Sequence, residues 1–336
     1  MKKYLLFISL CCLSLLQLSA ATPSTPTRVE KKRFSNISEI KFDQSYGNIV
    51  LRESDSKQVD LEIQYFDGKN HQSISEITLL GNSLSIRTIH PKDKRNDNCK
   101  IDYFISVPRN TALTVDLRYG NINMSDFHGD FIAQLAYSNL KAETFFCPNP
   151  TISCKYGTIS MSAVEDLNIQ TSYSNVAIGK IKTLKVENKY TNYTINQVQT
   201  IAAESATSYG NFKIGSASAI YLNLKYADLI IDNLETSLKT KCAYADVKIK
   251  NISKKLENID LQGSYSDIVL SLDPELSANL DIHLKYGDLK VASKYTTKYS
   301  LSGKENNKLV KKGVIGNKTP TANIVISNTY NNITIK

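Results

Sequence analysis

The chain contains no tryptophan and only four histidines, His71, His90, His128 and His283, which are scattered and have no carboxylate, serine or cysteine motif beside them. It also lacks G-x-S-x-G, H-E-x-x-H and any glycine loop of the phosphate-binding kind, so no linear motif for acyl transfer, zinc hydrolysis or nucleotide chemistry is present. C-x-x-C spacing is missing too, which removes the usual cysteine metal sites. Beyond the first 21 residues no apolar run approaches the ~20 residues that cross a bilayer, and no stretch follows the helical period. A catalytic site would have to be assembled from side chains on adjacent strands, as parallel β-helix glycosidases and lyases do. No catalytic, cofactor-binding or metal residue is assigned from the sequence.

Tyrosine, by contrast, is abundant at 19. It opens a phrase that recurs at Tyr46, Tyr119, Tyr137, Tyr156, Tyr173, Tyr190, Tyr209, Tyr226, Tyr244, Tyr265, Tyr286 and Tyr330. From Tyr119 to Tyr286 the steps are 18, 19, 17, 17, 19, 17, 18, 21 and 21 residues, a near-constant period that marks stacked supersecondary units. Each unit reads as alternating apolar residues, a tyrosine, a small residue, Asn, Asp or Thr, and further alternation. Leu113, Val115, Leu117 and Tyr119 share one parity, the period of a strand with one buried face. The parity then flips to Ile122 and Met124, so the chain turns a corner while keeping its apolar side inward. Glycine, Asn and Asp suit such a corner. A further apolar residue often lies eight positions after the tyrosine, as in Phe145, Val164, Ile181 and Leu234.

These features predict an all-β fold: a single-stranded parallel β-solenoid (β-helix) with coils of about 17–21 residues, each holding two or three short strands. Ten coils at a spacing of about 4.8 Å make a rod roughly 48 Å long. The pattern does not fix handedness; right-handed coiling is favoured.

In chain order, residues 1–21 read as a signal peptide: Lys2 and Lys3, an apolar run from Leu5 to Leu16, and small residues ending at Ala20 and Ala21. Residues 22–33, with Thr-Pro elements and then Arg28, Lys31, Lys32 and Arg33, read as a flexible linker. Residues 34–110 are strand-like but irregular, either degenerate coils or a cap of paired strands, with a charged loop from Lys92 to Lys100. The regular solenoid spans 111–295. Residues 296–320 form a polar, lysine-rich insertion, a loop or hairpin, and residues 321–336 carry a final repeat that closes the far end.

Several residue columns have two readings. Formal net charge is +9, and Lys155, Lys189, Lys225 and Lys285 precede repeat tyrosines. Such a column is most simply a solvated face, with binding of an anionic glycan, lipopolysaccharide or nucleic acid as the sharper ideas; no nucleic-acid motif accompanies it. The position two after the tyrosine runs through Asn residues to Asp228, Asp246, Asp267 and Asp288, either turn-forming residues or a shared cation site such as calcium. Each tyrosine shares the parity of inward residues and is expected at an inside corner with its hydroxyl satisfied; the alternative is a sugar-binding aromatic strip on the outside. Cys154 and Cys242 are too far apart to bridge and read as core, while Cys147 with Cys154 or with Cys99 leaves a disulfide open.

The opening copy Ser45-Tyr46-Gly47-Asn48-Ile49-Val50, the Ser106-Val107-Pro108 step and the serial Tyr-Gly-Asn-Ile-like coils resemble the bacterial putative-adhesin family, a solenoid domain of unknown function common in Bacteroidetes. The resemblance covers residues 34–336. The resemblance is specific for fold and says little of activity; with the signal peptide and the missing catalytic motifs, the reading is an exported, non-enzymatic protein that presents a binding surface at the cell envelope, secreted, on the cell surface or in the periplasm, without cofactor or transmembrane segment. An envelope, glycan or protein ligand is expected. The alternatives are a carbohydrate-active β-helix enzyme and a periplasmic structural or signalling component.

Overall fold

A computed structural model describes residues 25–68, 72–90, 99–203 and 207–336. The expected signal peptide and most of the charged loop from Lys92 lie outside those residues. The described chain is all-β, with 25 strands and no helix.

The repeat unit builds itself in the way the alternation requires. The strand Thr158–Ser172 pairs in parallel with Asn175–Lys189, one period later, from Thr158↔Asn175 to Ser172↔Lys189. Identical positions of successive coils therefore sit side by side. The ladder skips Ser162 and Glu165, where the chain bends, so each coil has straight runs before the tyrosine, after it and beyond the bend. Ile159, Met161, Val164, Leu167 and Ile169 all point into the core. One continuous apolar core runs from Ile37 to Ile335, with each coil covering the open faces of its neighbours.

The first seven strands are β1 (Arg28–Ser35), β2 (Glu39–Ser54), β3 (Gln58–Phe66), β4 (Ile74–Leu80), β5 (Ser83–Ile89), β6 (Lys100–Pro108) and β7 (Ala112–Met124). Residues 34–110 combine both of the expected alternatives. β2 is a true coil, paired in parallel with β7 from Glu39↔Ala112 to Leu51↔Met124. Over it lie two antiparallel lids: the β4–β5 hairpin, attached through β5 to the first half of β2, and β1–β3–β6, attached through β6 to the second half. The linker expected over 22–33 is corrected from residue 28 onward, because Arg28–Ser35 pairs antiparallel with Gln58–Tyr65. Its charged side chains are those of a defended sheet edge, a composition that imitates a solvated linker.

The far end departs from chain order. Ala322–Thr329 pairs in parallel with Asn258–Ser264 on one side and with Ala278–Lys285 on the other. The last repeat is therefore slotted between the coils of Tyr265 and Tyr286, and the expectation that it closes the far end is corrected. What closes that end is the 296–320 segment, which is a hairpin rather than a loop. Its strands Thr297–Glu305 and Lys308–Ile315 pair antiparallel, and the second docks antiparallel on Ala278–Lys285. The hairpin covers the outer side of the Tyr286 coil, and the C-terminal repeat fills the space between that coil and the coil of Tyr265.

Candidate binding face

At each corner the tyrosine itself adopts the left-handed backbone: the twelve repeat tyrosines have φ between +52° and +60°. This reverses the inward expectation. A residue in the left-handed region breaks the strict two-residue alternation, so the side chain swings outward although its sequence parity is that of the core. From Tyr119 onward all eleven are 38–51% exposed.

The twelve rings form one column. Neighbouring centroids lie 4.6–5.1 Å apart with planes within 3–16° of parallel, in the order 46, 119, 137, 156, 173, 190, 209, 226, 244, 265, 330, 286. Its eleven steps span about 53 Å. Ring faces cover one another, so the column presents ring edges and phenol hydroxyls to solvent. The Nζ atoms of Lys155, Lys189, Lys225 and Lys285 sit 5.2–5.8 Å from the adjacent ring centroids, within cation–π range.

Backbone N–H groups of the tyrosines tie neighbouring layers together. The N–H of Tyr173 donates to the carbonyl of Lys189 at 3.0 Å and that of Tyr226 to Ala243 at 3.0 Å, each reaching the next coil, while that of Tyr286 reaches Asn307 in the closing hairpin at 2.8 Å. Where the residue after the tyrosine is glycine, the approach leaves no room for a side chain: a Cβ on Gly120 would lie 1.9 Å from the carbonyl oxygen of Gly47.

The next position forms the Asn/Asp ladder. Side-chain oxygens there accept the backbone N–H of the following coil: Asn211 from Asp228 at 2.9 Å, Asp228 from Asp246 at 2.9 Å, Asp246 from Asp267 at 2.8 Å, and Asn332 from Asp288 at 2.9 Å. With Asp267 accepting from the Asn332 N–H at 3.3 Å and Asp288 from Lys304 Nζ at 2.7 Å, each carboxylate has a donor of its own, which removes the need for a shared cation. Among the described residues no group of three or more His, Cys, Asp or Glu is placed to hold a metal. Asp246→Ala is expected to cost about 1 kcal/mol, the net worth of one hydrogen bond, and Asp246→Asn clearly less. Millimolar calcium is expected to leave the melting temperature of the wild type unmoved; a calcium-dependent rise lost in Asp246→Ala would restore the cation reading.

The remaining singled-out residues serve packing or local polar contacts. Cys147, Cys154 and Cys242 are buried thiols, and burial pushes Cys147 and Cys242 up to about 11. The Cys99 sulfur accepts the Gly68 N–H at 3.2 Å. His128 binds Glu53 at 2.6 Å through Nδ1 and stacks on Phe146, while Nε2 of His283 contacts Asp281 at 2.8 Å. His90 lies between the Ser73 hydroxyl and the Ser45 carbonyl, and His71 falls outside the described residues.

Sequence reasoning missed a second longitudinal feature. A groove of about 1150 Å³ follows the bend of successive coils, with a floor that includes Val164, Ile181, Val198 and Leu234 and polar walls that include Gln197 and Glu235. Its floor is the apolar position eight after each tyrosine. That signal was legible, but the concavity comes from the bend, which alternation does not encode.

The profile of the family described as Toastrack DUF4097 matches residues 37–336. Among solved structures, the chain is similar to a "putative cell adhesion protein" from Clostridium sporogenes, at 10% identity, over 93% of this chain and 99% of that one, with a TM-score of 0.22. It is also similar to a "putative adhesin" from Bacteroides fragilis, at 12% identity, over 93% and 100%, with a TM-score of 0.24. A third, a "putative adhesin" from Parabacteroides merdae, shares 12% identity over 93% and 98%, with a TM-score of 0.32. No curated protein matches the chain.

Proposed function

Since the chain belongs to the Toastrack DUF4097 family, the putative-adhesin family that its corner phrases resemble, we propose that it is an exported, non-enzymatic binding protein of the cell envelope whose contact surface is the tyrosine column. The scaffold is a single-stranded parallel β-solenoid, right-handed as parallel connections within one sheet overwhelmingly are. In-register pairing between successive coils supports this reading.

The observation that carries the function is the exposure of a stacked aromatic ribbon on strained backbone. A non-glycine residue in the left-handed region costs roughly 1–2 kcal/mol. A stacked aromatic pair contributes about 0.5–1.5 kcal/mol. The two nearly cancel, so the ribbon adds little to stability, and Asn would sit in the same backbone with less strain. A contiguous exposed aromatic surface of this length, with so small a net effect on stability, marks an interaction site. Hydroxyls and ring edges repeating every 4.6–5.1 Å and flanked by lysines suit an extended, hydroxyl-rich or anionic polymer lying along the axis.

The test is a variant with Tyr173, Tyr190, Tyr209 and Tyr226 all changed to Asn. Its melting temperature is expected to stay within a few degrees of wild type. Saturable binding to a panel of immobilised acidic and neutral polysaccharides and matrix proteins is expected to fall at least about tenfold. Unchanged binding by a folded variant would move the contact away from the column.

A further inference from the structure

The stack ends in strand edges, and their side chains differ sharply in how they discourage pairing. β1 carries Arg28, Glu30, Lys31, Lys32 and Arg33 along its length. The outer strand of the closing hairpin, Thr297–Glu305, carries Lys298 and Lys304, contains Gly303 and is interrupted by a bulge between Tyr299 and Leu301. Leu289–Val291 is only three residues long. Charge, bulges and shortness are the standard defences of an open edge.

β4 is neither bulged nor short, and it carries only one charge. It reads Ile74-Ser-Glu-Ile-Thr-Leu-Leu80, with Ile74, Leu79 and Leu80 exposed by 56, 51 and 81% and Glu76 as its single charge. Its pairing with β5 is unbroken from Ile74↔Ile89 to Leu80↔Ser83, and among the described residues it pairs with no other strand. Gly81, at φ +59°, turns the chain tightly into β5, so nothing among the described residues at the hairpin tip shields the edge.

We propose that two copies of this chain join through their β4 edges, antiparallel about a two-fold axis with Ile77 opposite Ile77. The sequence is self-complementary in that register. Ile74 falls opposite Leu80 of the other copy and Ser75 opposite Leu79, so the most exposed apolar side chains cover one another. Glu76 meets Thr78 rather than its own counterpart. Sliding the pairing by two residues towards the N-terminus of the strand sets Glu76 against Glu76, a directly opposed like-charge pair that is disfavoured. A two-fold contact of this kind uses the same patch on both partners and closes at two copies. Because β4 continues through β5 into β2 and β7, the joined edges would make one sheet across both molecules, with the Tyr46 ends of the two columns nearest the joint.

Seven residues of edge pairing bury less than a standard interface, so a dissociation constant of about 10 µM is expected. Sedimentation velocity across about a hundredfold range of concentration should show a monomer–dimer equilibrium with no larger species. Leu79→Lys with Leu80→Lys places charge on two already exposed positions and should give a monomer throughout with an unchanged far-ultraviolet spectrum. Leu301→Lys at the opposite end should leave the dimer intact. The register is read by cysteine pairing under mild oxidation: an Ile74→Cys variant mixed with a Leu80→Cys variant should cross-link well above either alone. A monomer at every concentration, a dimer that survives the double lysine change, or equal cross-linking by the single variants would overturn the proposal.

Discussion

Deleting residues 321–336 is expected to unfold far more of the molecule than the segment removed. Ile324, Ile326, Ile333 and Ile335 are fully buried, and each buried aliphatic side chain is worth about 1.5–3 kcal/mol. Their loss is on the order of 10 kcal/mol before any relaxation, comparable to the whole stability of an ordinary domain. The position of the segment makes matters worse. Its strands are the layer between Asn258–Ser264 and Ala278–Lys285, so their removal strips one partner from each. Tyr295 also loses the Lys336 carbonyl, 2.8 Å from its hydroxyl, and the Ala292 N–H loses the Ile335 carbonyl at 2.9 Å.

Hydrogen exchange and limited proteolysis should therefore show residues 276–315 as unprotected in the truncated protein. Coils up to about residue 264 should stay folded but aggregate through the newly bared strand, since stability in such stacks is a sum of neighbour terms. Preserved protection over 276–315 would show that the closing hairpin and its coil hold themselves. Replacing only residues 297–315 by a short flexible link should do much less harm, because that hairpin covers one edge and separates nothing.

The second large effect belongs to Phe131→Ala. Phe127, Phe131 and Phe145 are fully buried and touch pairwise, with centroids 6.0, 6.1 and 4.9 Å apart. Phe131 lies in register with Leu113 of the preceding coil. Truncating a core phenylalanine costs about 3–5 kcal/mol through lost transfer energy and the cavity left behind. Here the rings of one corner fill a space that no neighbouring coil can collapse into, because the ladders on either side hold the coil spacing fixed. The upper half of that range is expected, with Phe131→Leu costing about 1.5 kcal/mol or less. Denaturant titration gives the magnitude. Hydrogen exchange should place the loss in residues 113–145 with little change beyond Tyr209; a uniform loss along the chain would mean that the stack unfolds as a single unit.

Much of the fold is written plainly in the sequence because a strand with one buried face leaves a period of two and a stacked array leaves a period of its own. Both signals survive in every coil from Leu113 to Lys285. The inward reading of the tyrosines failed for a physical reason. Between inward Leu117 and inward Ile122 one residue must leave the extended region, and alternation says only that it lies among Tyr119, Gly120 and Asn121. Propensity points to glycine or asparagine; the structure puts the tyrosine there, and its side chain leaves the core. The Asp ladder is expected from sequence to shape its own turns, but its side chains accept from the backbone of the next coil, a partner 17–21 residues away that local sequence rules do not see. Stack order was hidden for a similar reason. Tyr330 carries a phrase like the others, and nothing local to it says that its neighbours are Tyr265 and Tyr286.

The ordered rings also make the molecule report on itself with light. With no tryptophan in the chain, near-ultraviolet absorption belongs to phenols, and twelve of them are held parallel at a fixed spacing. Transition dipoles so arranged couple, giving a split circular-dichroism band that isolated tyrosines lack, and excitation hops along the column to the ring of lowest excitation energy. That band depends on coil-to-coil register rather than on β content. It should fade when one layer slips or a ligand spreads the rings, while the far-ultraviolet spectrum stays as it was.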